Sequence, residues 1–270
     1  MRYALCNEVL RHLSWEDACY QMAQVGYEGV EIAPFTFAES VLTLDSGTRA
    51  LIRQTARLHS LEVVGLHMLL WSPPGLHVAH PDPSVRQRTA DYLVALVEFA
   101  SDLGARWMVF GSPKQRSSIP PFTPSESAQL WLETLQPALK RCEQVGVSIL
   151  LEPLPETDVV QRLGEAVALV QQASHPYLKT MLDVKSALAE TDDVPALIRQ
   201  YASWIAHVHL NDSNLRAPGY GQTDFAPVLR ALREIDYRGW CSLEPFDYAP
   251  SPEVMMSESL RYLKQAETRT

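Results

Sequence analysis

Short apolar runs alternate eight times with longer segments of helical period, and this alternation constrains the fold more than any other feature of the chain. The apolar runs predict strands at residues 3–6, 28–32, 62–67, 106–111, 147–152, 179–183, 205–210 and 240–244. The segments between them predict helices at residues 15–25, 46–60, 84–103, 125–145, 161–173, 193–201, 225–235 and 253–266. Eight strand–helix units in 270 residues match a parallel barrel in count and length. We therefore predict an α/β fold, a single (β/α)8 TIM barrel domain over residues 1–270.

The starts of two predicted helices carry recognisable capping residues. Asp82 supplies a side-chain acceptor before Pro83, and Thr123-Pro124-Ser125-Glu126 has the spacing of a capping box. A doubly wound parallel sheet would share the strand–helix alternation, but no GxGxxG loop follows any predicted strand. Two long connections, 68–83 and 112–124, are expected above the C-terminal face of the barrel, where such loops form the walls of a site.

Composition and charge exclude several classes of partner. The formal net charge is −9 and the basic residues are scattered, so we expect no nucleic acid partner. No apolar stretch has the length of a membrane span, and the N-terminus is too short and polar for a secretory leader. The four cysteines lie far apart without a CxxC pair, which argues against a thiolate metal site and against disulfides. These observations predict a cytoplasmic protein with no membrane partner.

Four successive predicted strands each end in a residue that can bind a metal ion: Glu152, Asp183, His209 and Glu244. In a barrel the C-terminal strand ends converge on one mouth, so these side chains are expected to meet. Three carboxylates brought together are costly without a cation. Carboxylates with one imidazole suit Mn²⁺, Mg²⁺ or Co²⁺ better than a thiolate-seeking ion such as Zn²⁺. We predict one divalent metal ion at this mouth.

The chain resembles the xylose isomerase-like TIM barrels, the sugar phosphate isomerase/epimerase superfamily, and within it the ketose 3-epimerases. The resemblance covers essentially the whole chain and lies in Gly29-Val30-Glu31-Ile32, Gly65-Leu66-His67, Leu151-Glu152-Pro153-Leu154, Leu182-Asp183, His207-Val208-His209-Leu210-Asn211-Asp212, Pro218-Gly219-Tyr220-Gly221 and Leu243-Glu244-Pro245-Phe246. It implies that Glu152, Asp183, His209 and Glu244 hold one divalent ion, and that Glu152 and Glu244 are also the catalytic acid/base pair.

This residue set is suited to proton transfer next to a ketone. A metal ion that bridges a carbonyl and a neighbouring hydroxyl stabilises the enediolate formed when the carbon α to the carbonyl, which bears that hydroxyl, loses its proton. Two carboxylates on opposite faces of a sugar would invert the carbon, whereas one carboxylate alone would give an aldose–ketose shift. Positioned acid–base groups contribute roughly 10²–10⁴-fold in rate. The sequence thus predicts an isomerase or epimerase of a small sugar or keto-polyol.

The positions that contact substrate in this family differ here. Ser186 stands where the family often has His, Leu215 where it often has Arg, and Asp158 where it often has Glu, although Arg216 is next to the second of these. The identity of the sugar and the choice among epimerase, isomerase and dehydratase therefore stay open.

Seven residues near the predicted strand ends are candidates for substrate contact: Glu31, His67, Trp71, Lys114, Asp158, Lys185 and Arg216. Glu31 and His67 end the second and third strands, where a structural polar contact is equally expected. Trp71 could stack on a sugar face, and Lys114 could pair with a substrate anion. Lys185 could instead neutralise the carboxylate cluster.

Three alternatives differ in chemistry on the same fold. A lyase, such as a keto-inositol dehydratase, would form the same enolate and expel a β-hydroxyl. A non-catalytic sugar-binding barrel would bind ligand without turnover. An apurinic endonuclease would need more histidines at the strand ends and a less acidic surface.

Members of the family that the chain resembles are commonly oligomeric, so the resemblance implies a homo-oligomer, with an interface that the sequence does not locate.

Overall fold

A computed structural model describes residues 1–269, in which eight parallel strands form one closed barrel in chain order. The strands are β1 (Arg2–Cys6), β2 (Gly29–Ile32), β3 (Glu62–Leu66), β4 (Trp107–Phe110), β5 (Ser148–Leu151), β6 (Leu178–Asp183), β7 (Ile205–Leu210) and β8 (Trp240–Leu243). The predicted (β/α)8 barrel is confirmed, with strand boundaries within two residues of the prediction. Residue 270 lies outside the described residues, and the single domain over 1–270 stays a prediction.

The helices that the structure describes are α1 (Trp15–Val25), α2 (Ser46–Leu58), α3 (Pro83–Leu103), α4 (Pro124–Val145), α5 (Leu163–Ala173), α6 (Val184–Glu190), α7 (Val194–Gln200), α8 (Phe225–Glu234) and α9 (Pro252–Thr268). The predicted caps are present: Asp82 accepts from the Ser84 amide at 2.8 Å, and Thr123 forms a capping box with Glu126. None of the helices between residues 1 and 269 combines the length and hydropathy needed to cross a bilayer.

Helix α6 was not predicted, because it follows β6 without a loop. Asp183 is both the last residue of the strand and the N-cap of the helix, where its side chain accepts a hydrogen bond from the Ser186 amide at 2.7 Å. The strand changes to the helix at a single residue, so the sequence contains no turn residues that would mark where the helix begins. Because the Asp183 carboxylate caps this helix, its orientation is fixed.

Polar residues in the barrel follow apolar ones on the same strand. Ala4, Val64 and Trp240 form one small buried cluster, and Val109, Leu150 and Met181 form another. Two residues further along, and thus on the same face of each strand, come Cys6, Glu152, Asp183 and Ser242. The apolar clusters therefore close the lower barrel and leave the polar groups at its C-terminal mouth.

The register of the parallel sheet brings two of the predicted ligands directly together. Asp183 of β6 pairs with His209 of β7, and His209 in turn pairs with Ser242 of β8. Glu244 lies one residue beyond β8 and Glu152 one residue beyond β5, so both start from the same rim.

Candidate metal centre

Glu152, Asp183, His209 and Glu244 meet at the C-terminal mouth of the barrel. Each offers a ligand atom, and these atoms lie within 4.8 Å of one another. All four residues are at least 95% buried. The strand ends thus bring together the four side chains that the sequence analysis selected.

A single nitrogen of the His209 imidazole faces two carboxylates. Its Nδ1 lies 3.0 Å from Glu244 Oε2 and also 3.0 Å from Glu152 Oε1, while its Nε2 lies 3.1 Å from Glu31 Oε1. One N–H cannot point at two acceptors, and Glu152 Oε1 is a buried oxygen without a hydrogen-bond donor. Neighbouring ligands of an ion with bonds near 2.1 Å are about 3 Å apart. The donor set and the unpaired oxygen therefore fit a divalent cation.

Asn211 orients Asp183, and the sequence analysis did not select it as a site residue. Its Nδ2 donates to Asp183 Oδ2 at 2.7 Å, and its Oδ1 accepts from the Lys185 amide at 3.0 Å. Asn211 is fully buried and follows β7 within the His207–Asp212 motif. Its place two residues after His209, on the same strand face, was the signal available in the sequence.

Glu31 lies behind His209 and is completely buried. Its Oε1 faces His209 Nε2 at 3.1 Å, and its Oε2 faces His207 Nε2 at 2.8 Å. Ser242 Oγ lies 3.2 Å from the same nitrogen of His207. Both oxygens of Glu31 are thus engaged by imidazoles, a placement that suits orientation of His209 better than the substrate contact predicted from the sequence.

His67 has the corresponding position next to Glu244. Its Nδ1 lies 3.1 Å from Glu244 Oε1, and its Nε2 lies 3.0 Å from Glu8 Oε2. The ring is fully buried and Glu8 is 3% exposed. The sequence analysis did not select Glu8, although it stands two residues past the end of β1.

Burial and mutual repulsion shift the pKa values of the cluster. Burial, followed by the charge of Glu244, raises the pKa of Glu152 to about 7, and the same two causes raise that of Asp183. Burial by itself would raise the pKa of Glu244, but the imidazoles of His209 and His67 have the larger effect and lower it. Burial by itself would lower the pKa of His209, but the charges of Glu244 and Glu31 raise it well above its ordinary value. The ion-free cluster therefore retains protons that a dication would displace.

Lys185 lies beside the cluster and is 8% exposed. Its ammonium donates to Glu156 and lies 5.9 Å from the centre of the Phe246 ring. Burial lowers its pKa, but Asp183 and Glu156 outweigh this effect and the net shift is upward. Glu156, which the sequence analysis did not select, is therefore the acidic residue that the β5 loop directs toward this lysine.

The other four predicted substrate contacts are either exposed or hydrogen-bonded to neighbouring loops. Trp71 is 65% exposed with its ring tilted over Phe35, and Lys114 is exposed. Asp158 accepts hydrogen bonds from the amide and hydroxyl of Ser118, and Arg216 donates to the carbonyl of Ala249. Asp158 and Arg216 thus connect neighbouring loops at the rim, and their predicted contact with substrate stays a prediction.

The structure is thus a closed parallel barrel with a buried carboxylate–imidazole cluster at its C-terminal mouth, the face at which TIM-barrel enzymes carry their active sites. A profile of the xylose isomerase-like TIM barrels matches residues 19–266. The chain therefore belongs to the xylose isomerase-like TIM barrel family, and the resemblance seen in the sequence is confirmed.

Two curated relatives are sugar epimerases by name. The chain is 32% identical over 117 residues to the D-psicose 3-epimerase of Ruminiclostridium cellulolyticum, an alignment that covers 43% of this chain and 40% of the relative. It is 21% identical over 259 residues to a probable ketose 3-epimerase of Synechocystis, covering 89% of this chain and 86% of the relative. The stronger similarity thus spans well under half of the relative's length.

One solved structure illustrates the agreement in fold. The crystal structure of a D-psicose 3-epimerase in the presence of D-fructose superposes with a TM-score of 0.85 at 18% identity and covers 99% of both chains. At this identity the superposition shows the shared barrel fold.

Proposed function

We propose that this protein is a divalent-metal-dependent epimerase or isomerase of a small sugar or keto-polyol. The observation that carries the proposal is the position of His209 Nδ1, 3.0 Å from an oxygen of both Glu152 and Glu244. The names of the two curated relatives support the same substrate class.

Glu152, Asp183, His209 and Glu244 would hold the ion. When bound, a Mn²⁺, Mg²⁺ or Co²⁺ ion would polarise the substrate carbonyl and stabilise negative charge next to it. His209 would use Nδ1 as ligand while Nε2 donates to Glu31, the arrangement by which a second partner fixes a metal-binding imidazole.

Glu152 and Glu244 would be the acid/base pair. They come from β5 and β8, three strands apart around the closed barrel, so they can face a substrate from different sides. One carboxylate would remove the proton next to the carbonyl and the other would return a proton to the opposite face, which inverts that carbon. If one carboxylate removes that proton and returns it to the former carbonyl carbon, while a proton passes from the neighbouring hydroxyl to the former carbonyl oxygen, the product is the isomer with the carbonyl moved.

Lys185 and its partner Glu156 would contact polar groups of the substrate near Asp183. The pair comes from the β5 loop and the start of α6, and it lies next to the exposed ring of Phe246. Trp71, Lys114, Asp158 and Arg216 would shape the outer rim, with the last two fixing loop positions through their hydrogen bonds.

Solvent hydrogen exchange tests the proposal. The purified protein is loaded with Mn²⁺ and incubated in D₂O with a panel of ketoses and keto-inositols, and deuterium incorporation is followed by NMR. We expect incorporation next to the carbonyl without change of formula, and its loss in both Glu152→Gln and Glu244→Gln. Glu133→Gln, an exposed change on α4, is the matched control.

Each competing outcome has its own signature. Loss of one water from the substrate would identify a dehydratase. Binding of a sugar without exchange, unchanged by either glutamine substitution, would identify a non-catalytic barrel. A protein that binds no divalent ion in titration would contradict the proposal at its base.

A further inference from the structure

Glu8 and His67 form a buried pair that the proposed reaction does not use. His67 lies between two carboxylates, 3.1 Å from Glu244 Oε1 through Nδ1 and 3.0 Å from Glu8 Oε2 through Nε2. All three residues are at least 95% buried. They come from three different parts of the barrel: the turn after β1, the end of β3 and the end of β8.

Stability alone does not account for Glu8. A buried ion pair is often no better for folding than apolar side chains of the same volume. The second oxygen of Glu8, Oε1, is buried without any hydrogen-bond donor, which makes the residue costlier still. A buried carboxylate with an unpartnered oxygen next to a predicted active site points to a role other than stability.

The two proposed acid/base residues are held very differently. Glu244 contacts His67 through Oε1 and His209 through Oε2, so both of its oxygens have an imidazole partner. Glu152 has no donor on Oε1, and its Oε2 faces the α-carbon of Gly111. Glu244 is therefore held by a ring on each of its two oxygens, whereas Glu152 has no donor on Oε1.

We propose that Glu8 and His67 are positioning residues for Glu244. Glu8 anchors Nε2 of His67, which sets the rotation of the ring, and the ring then presents Nδ1 to Glu244. This inference rests on the proposed function, because the proposed function is what assigns Glu244 the roles of acid/base and metal ligand. Glu8 acts only through His67, since its one hydrogen-bonded oxygen contacts that ring.

A double-mutant cycle in the full-length, Mn²⁺-loaded protein tests the inference. The proteins compared are wild type, Glu8→Gln, His67→Gln and the double variant, each assayed for exchange with the best ketose from the panel. We expect each single change to lower kcat by roughly 10- to 100-fold with little change in KM. The double variant should be no worse than His67→Gln, because the effect of Glu8 passes through the ring. Glu16→Gln, exposed on α1, is the control.

A conservative pair of substitutions guards against simple misfolding. The amide of Asn reaches the position of Nδ1, which faces Glu244, whereas the amide of Gln reaches that of Nε2, which faces Glu8. His67→Asn should therefore retain more activity than His67→Gln, while a purely structural role would make the smaller side chain the worse one. Additive losses in the cycle, or an Asn variant no better than Gln, would overturn the inference.

Mn²⁺ titration provides a readout independent of turnover. We expect each chain to bind one equivalent of Mn²⁺. Each single change should weaken Mn²⁺ affinity, and the double variant should bind no more weakly than His67→Gln. Two equivalents in wild type and one in Glu8→Gln would overturn the inference, because Cys6, Glu8 and His67 would then be ligands of a second ion. If no ketose shows exchange, the proposed function fails and the Mn²⁺ cycle alone decides whether Glu8 and His67 position Glu244.

Discussion

Glu152 lies directly against the α-carbon of Gly111: a methyl group on that carbon would come within 2.1 Å of Oε2. Gly111 follows β4, the neighbour of β5, which carries Glu152. The absence of a side chain at 111 is thus what lets this carboxylate occupy its place in the cluster.

Gly111→Ala should displace Glu152 by about 1 Å or more, since real contacts of a β-carbon do not fall below 3.0 Å. A shift of this size costs about 10²-fold in rate. The measurement is kcat for solvent exchange, with thermal unfolding to show that the fold persists. Gly47→Ala is the matched control, because its methyl would meet nothing closer than 3.5 Å. Equal activity of the two variants would contradict the importance of the Glu152 position.

Glu31→Gln should weaken metal binding, although Glu31 is not one of the four proposed ligands. The amide can accept a hydrogen bond from only one of the two imidazoles that now face the carboxylate, so His209 loses part of its orientation. We expect a loss of roughly 10- to 100-fold in Mn²⁺ affinity. Isothermal titration calorimetry measures it, with Glu28→Gln at the exposed residue just before β2 as control. An unchanged affinity would remove the case for Glu31 as a positioning residue.

Removal of the metal should destabilise the barrel, because four buried ligands then lose their common partner. An ion present at 100 times its Kd adds about 2.7 kcal/mol to the free energy of unfolding. The melting temperature should fall on dialysis against chelator and return when Mn²⁺ is added. A melting temperature that does not respond to either treatment would argue against an ion in this cluster.

Metal affinity should rise with pH. In the ion-free chain the pKa of His209 is raised well above its ordinary value and that of Glu152 to about 7, so both must release protons before they bind an ion. Mn²⁺ titrations between pH 6 and 8 should show affinity increasing with pH and protons released on binding. A pH-independent affinity would mean that His209 is not a ligand.

His77 predicts a separate loss of stability in acid. Burial, assisted by the charge of His80, lowers its pKa to about 4 from an ordinary value of 6.5. The native state therefore disfavours the protonated ring, so the stability contributed by His77 is complete above pH 6.5 and is lost as the pH falls toward 4. The free energy of unfolding of the wild type should fall more steeply over this range than that of His77→Asn. In this variant the side-chain oxygen can still accept the hydrogen bond that Ala79 now donates to Nδ1 at 3.1 Å. His59→Asn, at the half-buried residue that caps the C-terminus of α2, is the control.

Residues that the sequence analysis grouped by strand position were brought together by the fold. Asp183, His209 and Glu244 lie within one residue of the ends of consecutive strands, and in a parallel barrel the order along the chain gives the order around the rim. Spacing was sufficient here because neighbouring strands are held in fixed register, with Asp183 directly opposite His209. Their role as metal ligands stays a prediction until an ion is measured.

Residues in loops could not be placed by counting. The resemblance drew attention to Asp158, but its carboxylate contacts Ser118, and Glu156, two positions earlier, pairs with Lys185. A loop has no fixed side-chain period, so a difference of two residues decides which carboxylate faces the site. Arg216 likewise contacts Ala249 in the next loop, at a distance of 33 residues in the chain.

The sequence by itself determined the barrel and the four side chains at its mouth, because a period of two within strands and the convergence of strand ends are local rules that act at every unit. The tertiary structure alone decided the buried contacts around those four: Glu8 with His67, Glu31 with His207, and Asn211 with Asp183. These contacts join residues between 28 and 176 positions apart, and in each the direction of a buried side chain depends on packing from several strands at once.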